Sequence, residues 1–438
     1  MSNSNPATRS LFRSAVLAVL CFGAAAGVAA AQSEERPSTQ LFGRMPSHGD
    51  QQLDITVSGR GAYDDNVIAA LDNGIVDPRT QTSGAYDGFT TQTKYTKRTR
   101  HLVFAASELS VGRYYPSLSD ITSIQHVGSV GLSGTYGKTL FSLNQTAGYA
   151  PYFSFAPTAS LFGPQPGEIP SSVAGSVVSR MNARTLGSSA DLSRQFGRRT
   201  TLKITSSLQD TVFQQDGTGL RTEALGAHIV RNLSSDFGIV LGYGIQRGLY
   251  RLAPSATRVN TFHDLDLGID FNRPLSRTRR VRLSVTTGST LIRASTGATE
   301  YFVVGDAKLT REIGRTWNAS AAYHRGVDML DGLSEPMLQD SAIATIGGAL
   351  SPRLELAITG GFSKGQLGIS DGPVNHNRSY NGSARLRIGL SRTVAFSTEY
   401  SFYDYRFDRT TYLPLGLTPE FRRQGLSFGV DLWLPLIH

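Results

Sequence analysis

The sequence predicts an all-β fold, a transmembrane antiparallel up-and-down β-barrel of about eighteen strands. Three observations carry that prediction. Apolar and polar residues alternate through most of the chain beyond Leu53, as they do when the two faces of a strand meet different media. A short Leu-Ser/Thr-Arg or Gly-Arg/Lys cluster recurs about every forty residues, enough for one strand up, one loop and one strand down. The connections between alternating segments take turns in kind, one tight and the next long.

The first element is a secretory leader. Arg9 and Arg13 supply its positive flank, Ser14–Val28 its Ala/Leu/Val run, and Ala29-Ala30-Ala31 a small-residue cleavage site. Cys21 lies in this run behind Leu20, where a lipoprotein signal wants Gly or Ala. It is the only cysteine, so a cleaved chain has none, which excludes disulfide and thiolate-metal schemes. Residues 32–52 are polar, carry Pro37 and Pro46, show no period, and read as a flexible periplasmic lead-in. They leave no room for the plug domain of a TonB-dependent transporter.

Residues 53–438 form the barrel in this reading. Leu53, Ile55, Val57 and Tyr63 share one face, against Asp54, Thr56, Ser58 and Arg60. The pattern returns at Val130/Leu132/Tyr136, Leu202/Ile204/Leu208 and Phe237/Ile239/Leu241/Tyr243/Ile245. It continues at Leu265/Leu267/Ile269/Phe271, Val281/Leu283/Val285 and Trp317/Ala319/Ala321/Tyr323. Leu386/Ile388/Leu390, Val394/Phe396/Tyr400/Phe402 and Leu426/Phe428/Val430/Leu432/Leu434 complete it. The segments run roughly ten to fourteen residues; ten of them, tilted near 45°, cover about 23 Å, the height of an outer-membrane apolar band. A chain of 438 residues is too long for one soluble core, whereas a barrel grows around its circumference. No later stretch has the eighteen or so apolar residues of a spanning helix, which excludes a helical membrane protein.

The basic markers of the tight turns are Lys97–Arg100, Gly137-Lys138, Leu192-Ser193-Arg194, Leu233–Asp236, Leu275-Ser276-Arg277, Leu309-Thr310-Arg311, Leu350–Arg353 and Leu390-Ser391-Arg392. They hold much of the formal charge of +9. They lack interleaved stacking aromatics, so they suit lipid phosphates and not nucleic acid. Tyr63, Tyr95, Tyr136, Tyr149, Phe196, Phe237, Phe271, Trp317, Tyr323 and Phe402 fall near strand ends, where amphipathic rings favour a membrane interface. The longest connection is the third long one, Pro151–Asn182, either a pore-constricting loop or a surface loop.

The first strand runs into Gly61-Ala62-Tyr63-Asp64-Asp65-Asn66-Val67. Here the chain, over about Leu53–His438, resembles a family of bacterial outer-membrane β-barrel porins that carry signal peptides. The resemblance implies a channel, and in some members an association with exopolysaccharide export; it carries over no functional residues. The chain departs from outer-membrane habit at its end, Leu432-Trp433-Leu434-Pro435-Leu436-Ile437-His438, which lacks a terminal aromatic. Either the closing strand stops near Leu434, since Pro435 cannot donate to a ladder, or assembly recognition is atypical.

The pore-lining candidates are the charges of the polar face: Asp264, Asp266 and Asp270, which could pair with Arg280 and Arg282 on the next strand, then Asp306 and Lys308, and Arg385 and Arg387 near Glu399. Such charges either set selectivity or, as mutually neutralising ladders, simply hydrate the lumen. Catalytic residues are not evident. His263 and Asp264 are strand neighbours that face opposite walls. Gly242-Tyr243-Gly244 with Gly248 is followed by no helix and is no nucleotide loop. Asp64-Asp65 reads as a solvated loop start, not a metal site. The expectation is therefore an outer-membrane channel for small hydrophilic solutes, among them saccharides, with both termini periplasmic, no cofactor and no metal. Its partners would be outer-membrane lipid, lipopolysaccharide and the barrel-assembly machinery. The alternatives are a barrel serving exopolysaccharide export or assembly, and an outer-membrane enzyme.

Overall fold

The computed structural model describes residues 41–43, 49–66, 83–116, 121–150, 182–213, 217–234, 236–253, 256–276, 281–293, 299–329, 336–367, 375–408 and 419–437. The leader with Cys21, most of the lead-in, the third long connection at 151–181, Arg280 and His438 lie outside them.

Eighteen strands form one antiparallel sheet that closes on itself. They are β1 (Gln51–Asp64), β2 (Gly84–Arg98), β3 (Leu102–Tyr115), β4 (Ile121–Tyr136), β5 (Thr139–Ala150) and β6 (Ala183–Phe196). Then come β7 (Thr200–Phe213), β8 (Gly219–Asn232), β9 (Phe237–Ala253), β10 (Ala256–Ser276), β11 (Val281–Arg293) and β12 (Thr299–Ile313). The last are β13 (Trp317–Asp328), β14 (Met337–Ser351), β15 (Leu354–Leu367), β16 (Asn375–Gly389), β17 (Val394–Phe407) and β18 (Glu420–Ile437). Each pairs with its chain neighbours, and β18 pairs with β1 over Leu53–Asp64, so no ladder edge is left open. The strands run from 12 residues in β5 to 21 in β10; many fall within the ten to fourteen expected, and others, β10 above all, exceed it because hairpin pairing continues past the apolar band.

The tight turns have a local cause. Ser234 Oγ accepts from the N–H groups of Asp236 and Phe237 at 3.2 and 3.1 Å, and Ser391 Oγ from those of Thr393 and Val394 at 3.2 and 3.0 Å. Ser351 does the same for Arg353 at 3.3 Å. The serine of the recurring cluster thus closes the turn by satisfying backbone donors that the ladder has released. Two markers are displaced. Leu192-Ser193-Arg194 and Leu309-Thr310-Arg311 lie inside β6 and β12, and the turns that follow are made by Gly197 and Gly314, at φ 74° and 64°.

The C-terminal strand does not stop at Leu434. It runs to Ile437, with Pro435 opposite Asp54 and a register shift between Leu53 and Asp54 that absorbs the missing donor. The lead-in is also anchored, not free, where it is described. Leu41 N–H donates to Pro352 O at 2.6 Å and Gly43 N–H to Arg392 O at 2.9 Å, which ties the segment to two neighbouring tight turns.

The two faces of the wall separate as the alternation demands. Val57, Val130, Leu186, Leu225, Leu241, Leu267, Val303, Ile358, Phe428 and Val430 are exposed on the outer face. Most of the large buried apolar side chains lie inside, at the long-connection end: Tyr86, Tyr115, Phe213, Leu220, Tyr250, Phe262, Ile292, Met337, Tyr405 and Phe421. The core is thus a ring on the inner wall, and β17 alone gives Tyr403, Tyr405 and Phe407 to it.

Candidate functional site

The inner wall carries three groups of polar side chains. The first stands at the tight-turn half, where β15–β18 meet β1. Asp431 is 2% exposed between two arginines, Arg60 Nη2 at 3.8 Å and Arg387 Nε at 3.4 Å. Both its carboxylate oxygens are buried without a hydrogen bond, so charge alone compensates them. Arg60 Nη1 also meets Glu399 Oε2 at 3.4 Å, and Arg387 Nη1 meets Glu355 Oε2 at 3.3 Å. Arg385 stands directly opposite Glu399 in the β16–β17 register. Three arginines and three carboxylates therefore form one network across the barrel seam. Phe42 of the lead-in lies against it, its ring 5.5 Å from the Arg387 guanidinium carbon.

The second group joins the seam at the long-connection end. Asp64, 3% exposed, accepts from Tyr115 Oη at 2.9 Å and from Arg423 Nη2. The Arg113 guanidinium carbon lies 5.6 Å from the Tyr86 ring, and Tyr86 packs on Tyr115 with centroids 4.8 Å apart.

The third group lies farther round the wall, on β10–β13. Asp264 accepts from Thr290 Oγ1 at 2.7 Å. His324 Nδ1 lies 2.6 Å from Asp306 Oδ1, and its Nε2 lies 3.9 Å from Asp328 Oδ2. These residues, with Lys203 and His228, line a groove of about 380 Å³. Asp266 and Asp270 hold β10 positions opposite Gly242 and Gly238.

The candidates named from the sequence thus fall into two places. Asp264, Asp266, Asp270, Arg282, Asp306 and Lys308 belong to β10–β12, and Arg385, Arg387 and Glu399 to β16–β17. The proposed Asp–Arg ladder between β10 and β11 does not form as expected. Asp264 and Asp270 stand opposite Thr290 and Thr286, and Arg282 stands opposite Pro274, because the hairpin closes at Ser276 and Val281 and so pairs Arg282 with residues beyond the aspartates. Arg280 lies outside the described residues. Arg60, Glu355 and Asp431 were missed as partners, although each interrupts an apolar alternation with a charge on the polar face. His324 and Asp328 were missed because the histidines looked scattered along the chain.

Two arrangements bear on catalysis. His263 and Asp264 do diverge: Tyr243 Oη lies 2.7 Å from His263 Nδ1 on the outer face, where Tyr243 is exposed. Asp306, His324 and Ser341 are consecutive register partners across three strands. Ser341 Oγ is nevertheless buried with no hydrogen-bond partner, so His324 does not hold it as a base holds a nucleophile.

No protein-family profile matches the chain, and no curated protein matches it. Among solved structures it is similar to OccK11 (OpdR) of Pseudomonas aeruginosa at 11% identity and a TM-score of 0.41, covering 92% of this chain and 100% of that one. OprD of the same organism matches at 11% identity and a TM-score of 0.40, over 89% of this chain and 96% of that one. The siderophore receptor PirA of Pseudomonas aeruginosa matches at 10% identity and a TM-score of 0.42, over 89% and 81%.

Proposed function

We propose that the chain is an outer-membrane channel for small hydrophilic solutes, with its tight turns and both termini on the periplasmic side. The observation that carries the reading is the division of the closed wall: an apolar outer face suited to lipid, and an inner face with Arg60, Arg387, Glu399 and Asp431 on one side and Asp264, Asp306 and Asp328 on the other. A barrel of 16–18 strands has the circumference for an aqueous path. A paired arginine–carboxylate network on one part of the wall and a carboxylate-rich groove on another favour solutes that are polar or dipolar over apolar ones. Saccharides fall within that class.

Conductance of the purified barrel in a planar bilayer tests the reading. Discrete steps are expected, with current reduced by added permeant saccharide. A bilayer that stays closed at every voltage and with every solute would sink it.

A further inference from the structure

The outer face of β15–β17 carries a row of cations that the strand register forces together. Lys364 stands directly opposite Arg378, and Arg378 directly opposite Arg406. All three are exposed. Like charges in direct cross-strand register are destabilising. The neighbours relieve the Arg406 end more than the Lys364 end. Asp340, which faces Lys364 from the other side, is already engaged by Arg325 Nη1 at 2.8 Å to each oxygen and by Tyr323 Oη at 2.6 Å. Arg406 reaches Asp404 at 3.7 Å and stands directly opposite Glu420, so the open part of the row is Lys364 and Arg378, which have no ion pair among the described residues.

Below this row, toward the tight turns, the chemistry changes by steps. Phe362 and Tyr380 face each other with centroids 5.2 Å apart. Gly360 and Gly382 come next, then Ile358 and Ala384. Beside them lies an apolar groove of about 590 Å³, floored by Ala307, Ala321, Ala344 and Gly360 and walled by Tyr323 and Phe362. Cations, then aromatic rings, then a smooth apolar groove follow the order of a phosphorylated lipid: phosphate, interface, acyl chain.

We propose that this surface binds the phosphorylated head group of an outer-leaflet glycolipid, with one acyl chain in the groove. The leaflet assignment rests on the outer-membrane reading above. Charge complementarity favours an anionic amphiphile over a second copy, since an isologous contact would set the same cations against themselves.

The test uses the full barrel in non-ionic detergent, with bisphosphorylated lipid A and its dephosphorylated form as probes, read by native mass spectrometry and thermal unfolding. The phosphorylated probe should bind at least about tenfold tighter and raise the unfolding temperature. The combined Lys364→Gln, Arg378→Gln and Arg406→Gln variant should lose that preference, while its lipid-free unfolding temperature holds or rises. Gly360→Leu, where a Cβ meets no heavy atom within 4 Å, should weaken both probes by filling the groove. Equal binding of the two probes, a preference that survives in the triple variant, or phosphatidylglycerol binding as tightly as lipid A would overturn the proposal. Groove binding that Gly360→Leu leaves unchanged would overturn the acyl assignment. A conducting barrel that fails the lipid test rejects this proposal alone, and a silent barrel that passes it rejects the channel reading alone.

Discussion

Asp431 sits 2% exposed between arginines from β1 and β16, with no hydrogen bond to either carboxylate oxygen. A charge in that position is useful only while both partners remain. Asp431→Ala leaves Arg60 and Arg387 facing each other across the seam and should cost about 2–3 kcal/mol, read as a lower denaturant midpoint of the detergent-solubilised barrel. Asp431→Asn, which keeps the volume, should cost less. If the alanine variant matched the parent, the network would be a surface decoration. Most of the residues that build this network were visible as charges on a polar face, but not as partners. Arg60 and Glu399 are 339 positions apart, and only closure of β1 on β18 brings them to 3.4 Å.

At the scale of the element, alternation located the strands, and the recurring serine located the turns at Ser234, Ser351 and Ser391. The reason is local: period-two patterning and a hydroxyl that accepts turn N–H groups both act within a few residues. What local pattern missed is register. The shift in β10 between Leu265 and Asp270 puts Gly268 against β11 so closely that an added Cβ would lie 1.6 Å from Thr287 O. Gly268→Ala must therefore push the strands apart, and should lower stability by about 2 kcal/mol or more, seen as a lower unfolding temperature. An Ala at Gly360, where the space is open, should be nearly neutral. Alternation also mispredicted the inner wall at the long-connection end. A polar face was expected there, yet Tyr86, Tyr115, Tyr403, Tyr405 and Phe421 point inward and are buried. The sequence reading assigned strand-end aromatics to the membrane interface, and Tyr63, Tyr136, Phe196 and Tyr323 are exposed outside as expected. Inward rings at the same height carry the same local signal, so composition cannot separate the two sets.

For the whole molecule, closure decides both stability and transport. In the middle of β18 every residue is paired with both β17 and β1, so a proline there removes a ladder donor and breaks the seam. Val430→Pro should yield no folded barrel, read as loss of the heat-modifiable band on gels; a normal band would show that the seam is dispensable. Charge across the lumen should set ion preference. Arg60→Gln with Arg387→Gln should move the reversal potential toward cation preference, and Asp264→Asn with Asp306→Asn toward anions. Unmoved reversal potentials in both would assign these groups to wall stability alone.

The sequence by itself determined the class, a strand number of about eighteen, the two kinds of connection and the lipid-facing side of the strands that alternate clearly, because all of these follow from near-neighbour periodicity. Tertiary structure alone decided which charges meet, where the register shifts, that an aromatic ring lines the inner mouth, and that Lys364, Arg378 and Arg406 share one row. Those facts depend on contacts between residues far apart in the chain, and a barrel fixes them only when its last strand hydrogen-bonds to its first.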